Sequence, residues 1–284
     1  MTTPKRLALP APAKLNLFLH VTGRRADSYH ELESLFVPIT LADTLTLTLR
    51  EDGQIRLIDP PLGLTEEHDL ACRAARALQL ATGTTLGVDI QLKKVIPQGG
   101  GLGGGSSDAA TALLGLNRLW SLKQTRNQLR SIGAQLGADV PFFIFGQPAF
   151  ASGVGERLLA VSLPLRHYVV AFPGVGVATA SVFTDPNLTR NTPGAEKKVF
   201  AENYGHNDLQ PVAERIQPRI SALCDAVIQA GAKPRMTGSG ACVFAPASDA
   251  TSARALAAHL RGARWQCWAV KSITHHPLIS FAHD

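Results

Sequence analysis

A glycine-rich segment is the part of the sequence whose composition points most directly to chemistry. Six glycines surround one leucine in residues 99–105, the glycine loop, and Ser106, Ser107 and Asp108 follow at once. Glycine lets a backbone approach a ligand closely and direct N–H groups at it, and a helix that begins at the serines adds its dipole. The natural ligand of such a loop is an oligophosphate, so we predict a phosphate-binding loop.

Two familiar phosphate-binding patterns do not fit this loop. It contains the G-x-G-x-x-G spacing of dinucleotide-binding folds, but residues 109–138 contain neither the Asp nor the Glu that should follow about 20 positions later. It also contains the G-x-x-x-x-G spacing of a Walker A loop, but Ser106 stands where that loop needs a lysine. Backbone amides and a helix dipole are left to bind phosphate, with the hydroxyls of Ser106 and Ser107 available to phosphate or Mg²⁺.

Strands are predicted on the N-terminal side of the loop. Polar and apolar residues alternate over residues 13–21, which predicts a half-buried strand with Lys14 and Asn16 on its polar face. Residues 43–58 alternate around a central Asp-Gly turn, which predicts a β-hairpin. A helix over residues 67–81 and a strand over residues 88–92 then lead into the glycine loop, and Ser106 or Ser107 is the predicted N-cap of the next helix.

The C-terminal half alternates helices with strands. The patterns predict helices over 125–136, 220–230 and 249–261, and strands over 166–172, 235–244 and 265–273. The polar residues 185–207 are the best candidate for a linker or mobile loop. This order predicts a second α+β layer, and therefore two domains.

Composition limits the function classes. The chain is 45% hydrophobic and 18% charged, which is typical of a globular protein, and its net charge of +6 favours anionic ligands. There is no basic helix with interleaved aromatics, so no nucleic-acid partner is expected, and no apolar run of about 18 residues, so no membrane span is expected. The four cysteines form no C-x-x-C pair, which favours a reducing compartment, and we expect a cytoplasmic protein.

Three segments resemble one enzyme family. Residues 97–108 resemble the P-x-x-x-G-L-G-S-S motif of the GHMP kinases, and residues 12–17 and 237–244 resemble the other two motifs of that family. The resemblance implies an α+β fold of two domains with the active cleft between them. These are an N-terminal ATP-binding domain like ribosomal protein S5 domain 2 (residues 1–160) and a ferredoxin-like C-terminal domain (residues 161–284).

Further segments narrow the resemblance within the family. Residues 25–32, 137–141 and 153–156, together with the glycine loop, look like the branch that transfers the γ-phosphoryl group of ATP to the 2-hydroxyl of a CDP-linked methylerythritol, in non-mevalonate isoprenoid biosynthesis. This implies ATP and Mg²⁺ as cofactors, one small-molecule substrate, and a monomer or weak homodimer, while the metal ligands are not identified. The alternatives are a GHMP kinase for another alcohol, such as homoserine or mevalonate, and a catalytically silent nucleotide sensor.

The resemblance also assigns catalytic roles. Taken alone, Asp139 is an exposed turn residue and Lys14 belongs to a solvated strand face. By resemblance Asp139 accepts the proton of the substrate hydroxyl, Lys14 stabilises developing charge, and Asn16 holds the substrate. ATP contacts are implied for Lys94, Pro97, Gln98, Gly99, Gly100, Gly101, Leu102, Gly103, Gly104, Gly105, Ser106 and Ser107.

A base-binding pocket is implied as well. By resemblance Tyr29 and Phe183 stack on the two faces of cytosine, His30 bonds the edge of the base, and Thr179 belongs to the same substrate pocket. Phe183 could also be a core residue. Asp69 is a departure from the family, which usually has Asn there, and its charge near adenine or ribose would affect the preference for the nucleotide.

Overall fold

Two β-sheets organise the chain, and the structure, a computed structural model, describes residues 5–27, 29–60, 65–195 and 205–284. In the first sheet two long antiparallel strands pair along their whole length. The other edge of the second long strand carries two further pairs of strands. The strands are β1 (Arg6–Arg24), β2 (His30–Arg50), β3 (Ile55–Ile58), β4 (Gly87–Lys93), β5 (Ala149–Ser152) and β6 (Arg157–Ala160). The order is β3-β4-β2-β5-β6, with β1 on β2.

Four helices accompany the first sheet: α1 (Leu70–Thr82), α2 (Gly104–Leu119), α3 (Arg126–Ala134) and α4 (Val140–Phe145). Helix α2 is buried along almost its whole length, and Leu113 packs in one core with Leu47, Ile90 and Phe142. Burial of such side chains contributes roughly 1.5–3 kcal/mol each, which fixes the residues before and after α2 in space.

The second sheet has four antiparallel strands in the order β10-β7-β9-β8. They are β7 (His167–Phe172), β8 (Arg235–Met236), β9 (Val243–Ala247) and β10 (Gln266–Lys271). The helices of this half are α5 (Thr179–Thr184), α6 (Gln210–Ile216), α7 (Pro218–Gln229) and α8 (Ala250–Gly262), and a 3₁₀ turn, Ile279–Phe281, lies near the C-terminus. Helix α7 packs on β9 and α8 on β10 and β7, so β7-α7-β8-β9-α8-β10 forms the expected ferredoxin-like unit. The predicted α+β class is confirmed.

No helix within the described ranges is both long and apolar enough to cross a membrane.

The predicted hairpin over residues 43–58 is wrong. Residues 43–50 do end β2, but β3 pairs in parallel with β4, which therefore lies between β2 and β3. Alternation identifies a strand without naming its partner. The pairing of β3 with β4 begins beside Gln54, whose carbonyl accepts a hydrogen bond from Val88 N–H at 2.9 Å.

The half-buried description of β1 is also wrong, because both faces of this strand are covered. Lys14 N–H donates to the Leu102 carbonyl of the glycine loop at 3.0 Å, and Leu19 N–H donates to the His206 carbonyl at 2.9 Å. The strand thus has β2 on one edge and loops from distant parts of the chain on the other. Lys14 and Asn16 face a cavity rather than bulk water, and His20 is buried.

The segment proposed as a linker lies partly outside the described residues, at 196–204. Its described part packs on the first sheet: Thr192 N–H donates to the Val21 carbonyl at 3.1 Å, and Ala195 N–H donates to the Glu33 carboxylate. Residues 185–195 are therefore bound to β1 and β2 and are not a free linker.

The C-terminal end returns to the first sheet. Arg126 Nε donates to Asp284 Oδ1 at 2.7 Å, and Leu278 and Ala282 belong to the core around α2. The chain passes from the first sheet to the second at residues 161–166, and the domain limits 1–160 and 161–284 stay a prediction.

Candidate active site

One cavity of about 740 Å³ joins the two halves of the molecule. Its walls come from β1 and β2, the glycine loop, the turn before α4, helix α5 and the turn at residues 237–242. Eleven of the predicted site residues line this cavity: Lys14, Asn16, Tyr29, His30, Gly99, Gly101, Gly103, Ser106, Asp139, Thr179 and Phe183. Residues far apart in the sequence are thereby brought to one place.

A lysine–aspartate pair lies on the wall of the cavity. Lys14 Nζ is 3.4 Å from Asp139 Oδ2, and the side chains are 4% and 31% exposed. Lys14 also donates to Asn16 Oδ1, and its Nζ lies 5.0 Å from the centre of the Phe36 ring. A buried ammonium group needs such partners because it has lost its hydration. Asp139 keeps partial access to the cavity, as a proton acceptor must.

Local sequence explains where Asp139 stands. It directly precedes α4, whose first turn contains Pro141, a residue tolerated there because the N–H groups of the first turn have no helical partner. Phe142 and Phe143 are fully buried behind it. The short helix is therefore held by its apolar face, and the aspartate at its start is held with it.

Asn16 is held by hydrogen bonds to three residues. Its backbone N–H donates to Thr237 Oγ1 at 2.9 Å, its Nδ2 donates to Ser34 Oγ at 2.8 Å, and its Oδ1 accepts from Lys14. Ser34 in turn donates to the Phe18 carbonyl. The side chain predicted to hold the substrate is thus oriented in advance, by residues of both halves of the chain.

The glycine loop is attached by its backbone to the turn at residues 237–242. Ala241 N–H donates to the Gly99 carbonyl and Cys242 N–H to the Gly100 carbonyl, both at 3.0 Å. Gly101 has φ +72°, and a Cβ there would collide with the Thr237 carbonyl oxygen. The glycines therefore allow contact between the two halves, besides any approach to a ligand.

Helix α2 starts at the end of this loop. Its N-cap is Gly103, with φ +73°, and the first helical bond runs from Ser107 N–H to the Gly103 carbonyl at 2.8 Å. The predicted N-cap role of Ser106 or Ser107 is therefore wrong. The N–H groups of Gly104, Gly105 and Ser106 precede the first helical bond, and such groups form an anion site at a helix start.

The two serines at this helix start differ in what they do. Ser106 lines the cavity, whereas Ser107 is fully buried and its Oγ donates to the Pro12 carbonyl at 2.7 Å. The hydroxyl of Ser107 thus holds β1 against α2. Of the two hydroxyls predicted for phosphate or Mg²⁺, that of Ser106 is the one on the cavity wall.

Lys94 lies between two acids behind the loop. Its Nζ is 2.5 Å from Asp43 Oδ2 and also donates to Asp108. Burial raises the pKa of Asp108 to about 7, against the opposing effect of the Lys94 charge. This cluster joins β2, the end of β4 and the first turns of α2, so it holds together the elements on both sides of the glycine loop.

Several predicted ATP contacts lie outside the cavity lining: Lys94, Pro97, Gln98, Gly100, Leu102, Gly104, Gly105 and Ser107.

Asp69 caps helix α1. Its Oδ1 accepts from Cys72 N–H at 2.8 Å, and its residue is 4% exposed. An Asp at this position serves as well as Asn for that purpose. The residue that departs from the family pattern therefore has a structural role of its own. Cys242, in the turn at residues 237–242, is fully buried, and burial raises the pKa of its thiol.

The residues of the predicted base pocket lie on the wall of the same cavity. The rings of His30 and Phe183 are 5.1 Å apart at 33°, and Tyr29 is 64% exposed. Thr179 Oγ1 lies 2.7 Å from Ser239 Oγ, which connects α5 to the turn at residues 237–242. Phe183 is half-buried and packs at the edge of the second core, so it belongs to both the core and the cavity wall.

Three supporting residues had not been found from the sequence. Arg190 Nε donates to His30 Nε2 at 3.0 Å. Asn207 Nδ2 donates to the carbonyls of Met236 and Gly238 at 2.8 Å, which shapes the turn there. Ser34 holds Asn16. Arg190 and Asn207 lie in a polar stretch without periodicity and Ser34 in a plain strand, so no local signal pointed to any of them.

Comparison with known proteins identifies the protein family to which this fold belongs. Residues 69–147 match the family described as GHMP kinases N terminal domain, and residues 190–265 match the family GHMP kinases C terminal. The fold is therefore that of a GHMP kinase, as the sequence motifs implied.

Relatives define the family more narrowly. The 4-diphosphocytidyl-2-C-methyl-D-erythritol kinase of Ralstonia pickettii is 51% identical over 280 residues, and that of Ralstonia nicotianae 52% over 281, with 96% of each chain covered in both comparisons. A crystal structure of 4-(cytidine 5'-diphospho)-2C-methyl-D-erythritol kinase matches with a TM-score of 0.82 and 38% identity, over 94% of this chain and 99% of the other. The chain belongs to the family of the 4-diphosphocytidyl-2-C-methyl-D-erythritol kinases.

Proposed function

We propose that the protein transfers the γ-phosphoryl group of ATP to the 2-hydroxyl of 4-diphosphocytidyl-2-C-methyl-D-erythritol, a step of isoprenoid precursor synthesis. One observation carries the proposal. The glycine loop, the Lys14–Asp139 pair and the His30–Phe183 rings all line one cavity. This cavity therefore presents groups suited to the phosphates of a nucleotide, to a reacting alcohol and to a cytosine.

The transfer itself needs few groups. The hydroxyl oxygen bonds to the γ-phosphorus while the bond from that phosphorus to the bridging oxygen breaks, and ADP leaves. Asp139 takes the hydroxyl proton on its carboxylate, and Lys14 offsets negative charge on the alcohol oxygen and the moving phosphoryl group. Phosphoryl transfer depends mostly on positioning and electrostatics, so direct transfer without a phospho-enzyme suffices.

ATP is assigned to the glycine loop and the start of α2. The N–H groups of Gly104, Gly105 and Ser106 are geometrically suited to phosphate oxygens, and the buried cluster around Lys94 supports the loop. The remaining predicted ATP contacts, including Pro97 and Gln98, stay predictions.

Mg²⁺ is expected to accompany ATP. Among residues in the described ranges, no group of three His, Cys, Asp or Glu side chains could hold a metal. Mg²⁺ commonly binds through substrate phosphates, water and only one or two protein oxygens. The Ser106 hydroxyl on the cavity wall would suit that arrangement. When bound, the ion neutralises phosphate charge.

The cellular setting is part of the proposal. All four cysteines are buried and unpaired, which supports a reducing compartment such as the cytoplasm. We also propose a monomer or weak homodimer with no nucleic-acid or membrane partner.

The direct test is ADP release by the purified protein with MgATP. The CDP-alcohol is offered beside homoserine, mevalonate and galactose, with Asp139→Asn as the blank and the surface variant Asp225→Asn as the matched control. Release with the CDP-alcohol alone is expected. Release with another alcohol would keep the kinase and discard the cytosine pocket, and ATP binding without release would leave a nucleotide sensor.

A further inference from the structure

One arginine is held rigidly between helix α5 and the histidine of the base pocket. Arg190 Nη1 donates to the Leu188 carbonyl at 3.0 Å, and its Nη2 donates to the carbonyls of Phe183 at 3.1 Å and Asp185 at 2.7 Å. Its remaining Nε–H points at His30 Nε2, 3.0 Å away. The guanidinium is thus fixed by its own segment, and its contact with His30 is imposed on the histidine.

This contact determines where His30 carries its proton. A guanidinium only donates hydrogen bonds, so His30 Nε2 must accept and cannot itself be protonated. A neutral imidazole then has its single proton on Nδ1. Burial, and after it the charges of Arg190 and Arg24, lower the pKa of His30, so the ring is neutral at pH 7.

The other ring nitrogen is available to a ligand. His30 lines the cavity, and its Nδ1 makes no hydrogen bond with any residue of the described part of the chain. The ring thus carries one N–H donor that no described residue uses, and its centre lies 5.1 Å from that of the Phe183 ring. Cytosine has an acceptor at N3, whereas N3 of uracil carries a hydrogen and cannot accept.

We propose that Arg190 is a positioning residue that makes the site specific for cytosine over uracil, by holding His30 in the tautomer that donates from Nδ1 to N3 of the base. The inference rests on the proposed function, because it assumes that the base of a CDP-linked substrate lies beside Phe183. The same guanidinium binds the Phe183 carbonyl, so one side chain sets both the stacking wall and the donor.

Tautomer measurement is the first test. Nitrogen-15 NMR of histidine-labelled full-length protein at pH 7.5, assigned with His30→Gln, reports which ring nitrogen of His30 bears the proton. Wild type and Arg190→Lys, which also can only donate, are expected to show the proton on Nδ1. Arg190→Gln is expected to show both tautomers, because an amide can donate or accept. A wild-type His30 protonated on Nε2, or on both nitrogens, would overturn the proposal.

A matched control separates the tautomer from general loosening. Arg215 Nη2 lies 2.6 Å from Asp185 Oδ1, so Arg215→Gln loosens the same segment without touching His30. Its His30 is expected to keep the wild-type tautomer. If Arg215→Gln mixes the tautomers as Arg190→Gln does, the order of the segment and not the donor is responsible, and the proposal fails.

Specificity is the second test. The ratio of kcat/KM for the CDP-alcohol to that for its UDP counterpart is expected to fall roughly 10- to 100-fold in Arg190→Gln. In this variant His30 can adopt the tautomer whose Nδ1 accepts, so it no longer opposes its own N–H to the N3–H of uracil. The ratio should be retained in Arg190→Lys and Arg215→Gln. Equal losses on both substrates would show a merely structural role and overturn the proposal.

The two proposals fail in different ways. If no CDP-alcohol is phosphorylated, the proposed function fails, and calorimetric binding of CDP and UDP to wild type and Arg190→Gln replaces the kinetic arm. A wild-type preference for CDP that disappears in Arg190→Gln would still support the role of Arg190. Equal binding of CDP and UDP by wild type would overturn it.

Discussion

Two parts of the cavity wall, the reacting end around Lys14 and Asp139 and the base end around His30 and Phe183, are built in different ways. At the reacting end Lys14 is 3% exposed and tied to Asn16 and Asp139, and the glycine loop is bonded by its backbone to the turn at residues 237–242. At the base end Tyr29 is 64% exposed and Phe183 lies on a helix of six residues. Charge stabilisation needs groups held in place away from water, whereas stacking needs only a flat apolar surface.

The reacting end also depends on more of the molecule. Asn16 contacts Thr237 and Ser34, while the Lys94 cluster supports α2 from the far side of the loop. At the base end the Arg190 guanidinium contacts both His30 and the Phe183 carbonyl, and Thr179 contacts Ser239. We therefore expect substitutions at the two ends to change different kinetic constants.

The largest effect is expected at Asp139. Asp139→Asn removes the proton acceptor while keeping the size of the side chain, so kcat should fall by roughly 10² to 10⁴ with little change in nucleotide affinity. ADP release and calorimetric ATP binding measure the two quantities. Asp225→Asn should behave as wild type, and an Asp139→Asn rate within about tenfold of wild type would remove Asp139 from its role.

Phe183 sharpens the contrast at the base end. Phe183→Ala removes one stacking face, worth about 1–3 kcal/mol, so KM for the CDP-alcohol should rise roughly 5- to 150-fold while kcat stays within a few fold. Steady-state kinetics with saturating ATP measure both constants. A fall in kcat with unchanged KM would show that the base end takes part in positioning the reacting groups.

The glycine loop offers a test of what its glycines are for. Gly101→Ala introduces a Cβ at φ +72° that collides with the Thr237 carbonyl, whereas Gly83→Ala introduces one at φ +66° with nothing within 4 Å. The conformation alone costs about 1–2 kcal/mol. Gly101→Ala should lower the free energy of unfolding further and raise KM for ATP, and urea titration with steady-state kinetics would show it.

If Gly101→Ala and Gly83→Ala are equally destabilising, the loop accommodates the new methyl group. The bonding between the glycine loop and the turn at residues 237–242 would then be looser than the structure indicates.

The smallest effects are expected at Ser106 and Ser107, and each substitution should change a property that the other leaves unchanged. Ser107→Ala loses the hydrogen bond to Pro12, which is worth about 1 kcal/mol of unfolding free energy, and should leave KM for ATP unchanged. Ser106→Ala should leave stability unchanged and raise KM for ATP a few fold. Thermal denaturation and ATP titration of both variants check this, and the reverse assignment would exchange their roles.

Local sequence carried much of the fold. Helices α1, α3, α7 and α8 lie within a few residues of the predicted ranges because their apolar periodicity and caps are local properties. The hairpin at residues 43–58 failed because strand pairing is not local: β3 found β4, which lies about 30 residues further along the chain. The N-cap of α2 failed because Gly103, already in the left-handed conformation, starts the helix before the serines.

The sequence by itself determined the GHMP kinase class and the glycine loop, since these depend on residue types at fixed spacing, and its resemblance to that family nominated Lys14, Asn16 and Asp139 as site residues. Only the tertiary structure decided that the polar face of β1 meets a cavity, that Ser107 bonds to Pro12, and that Arg190 reaches His30. The two hydrogen bonds join residues 95 and 160 positions apart, and side-chain types along a chain do not reveal which distant partners the packing of two sheets will bring within 3 Å.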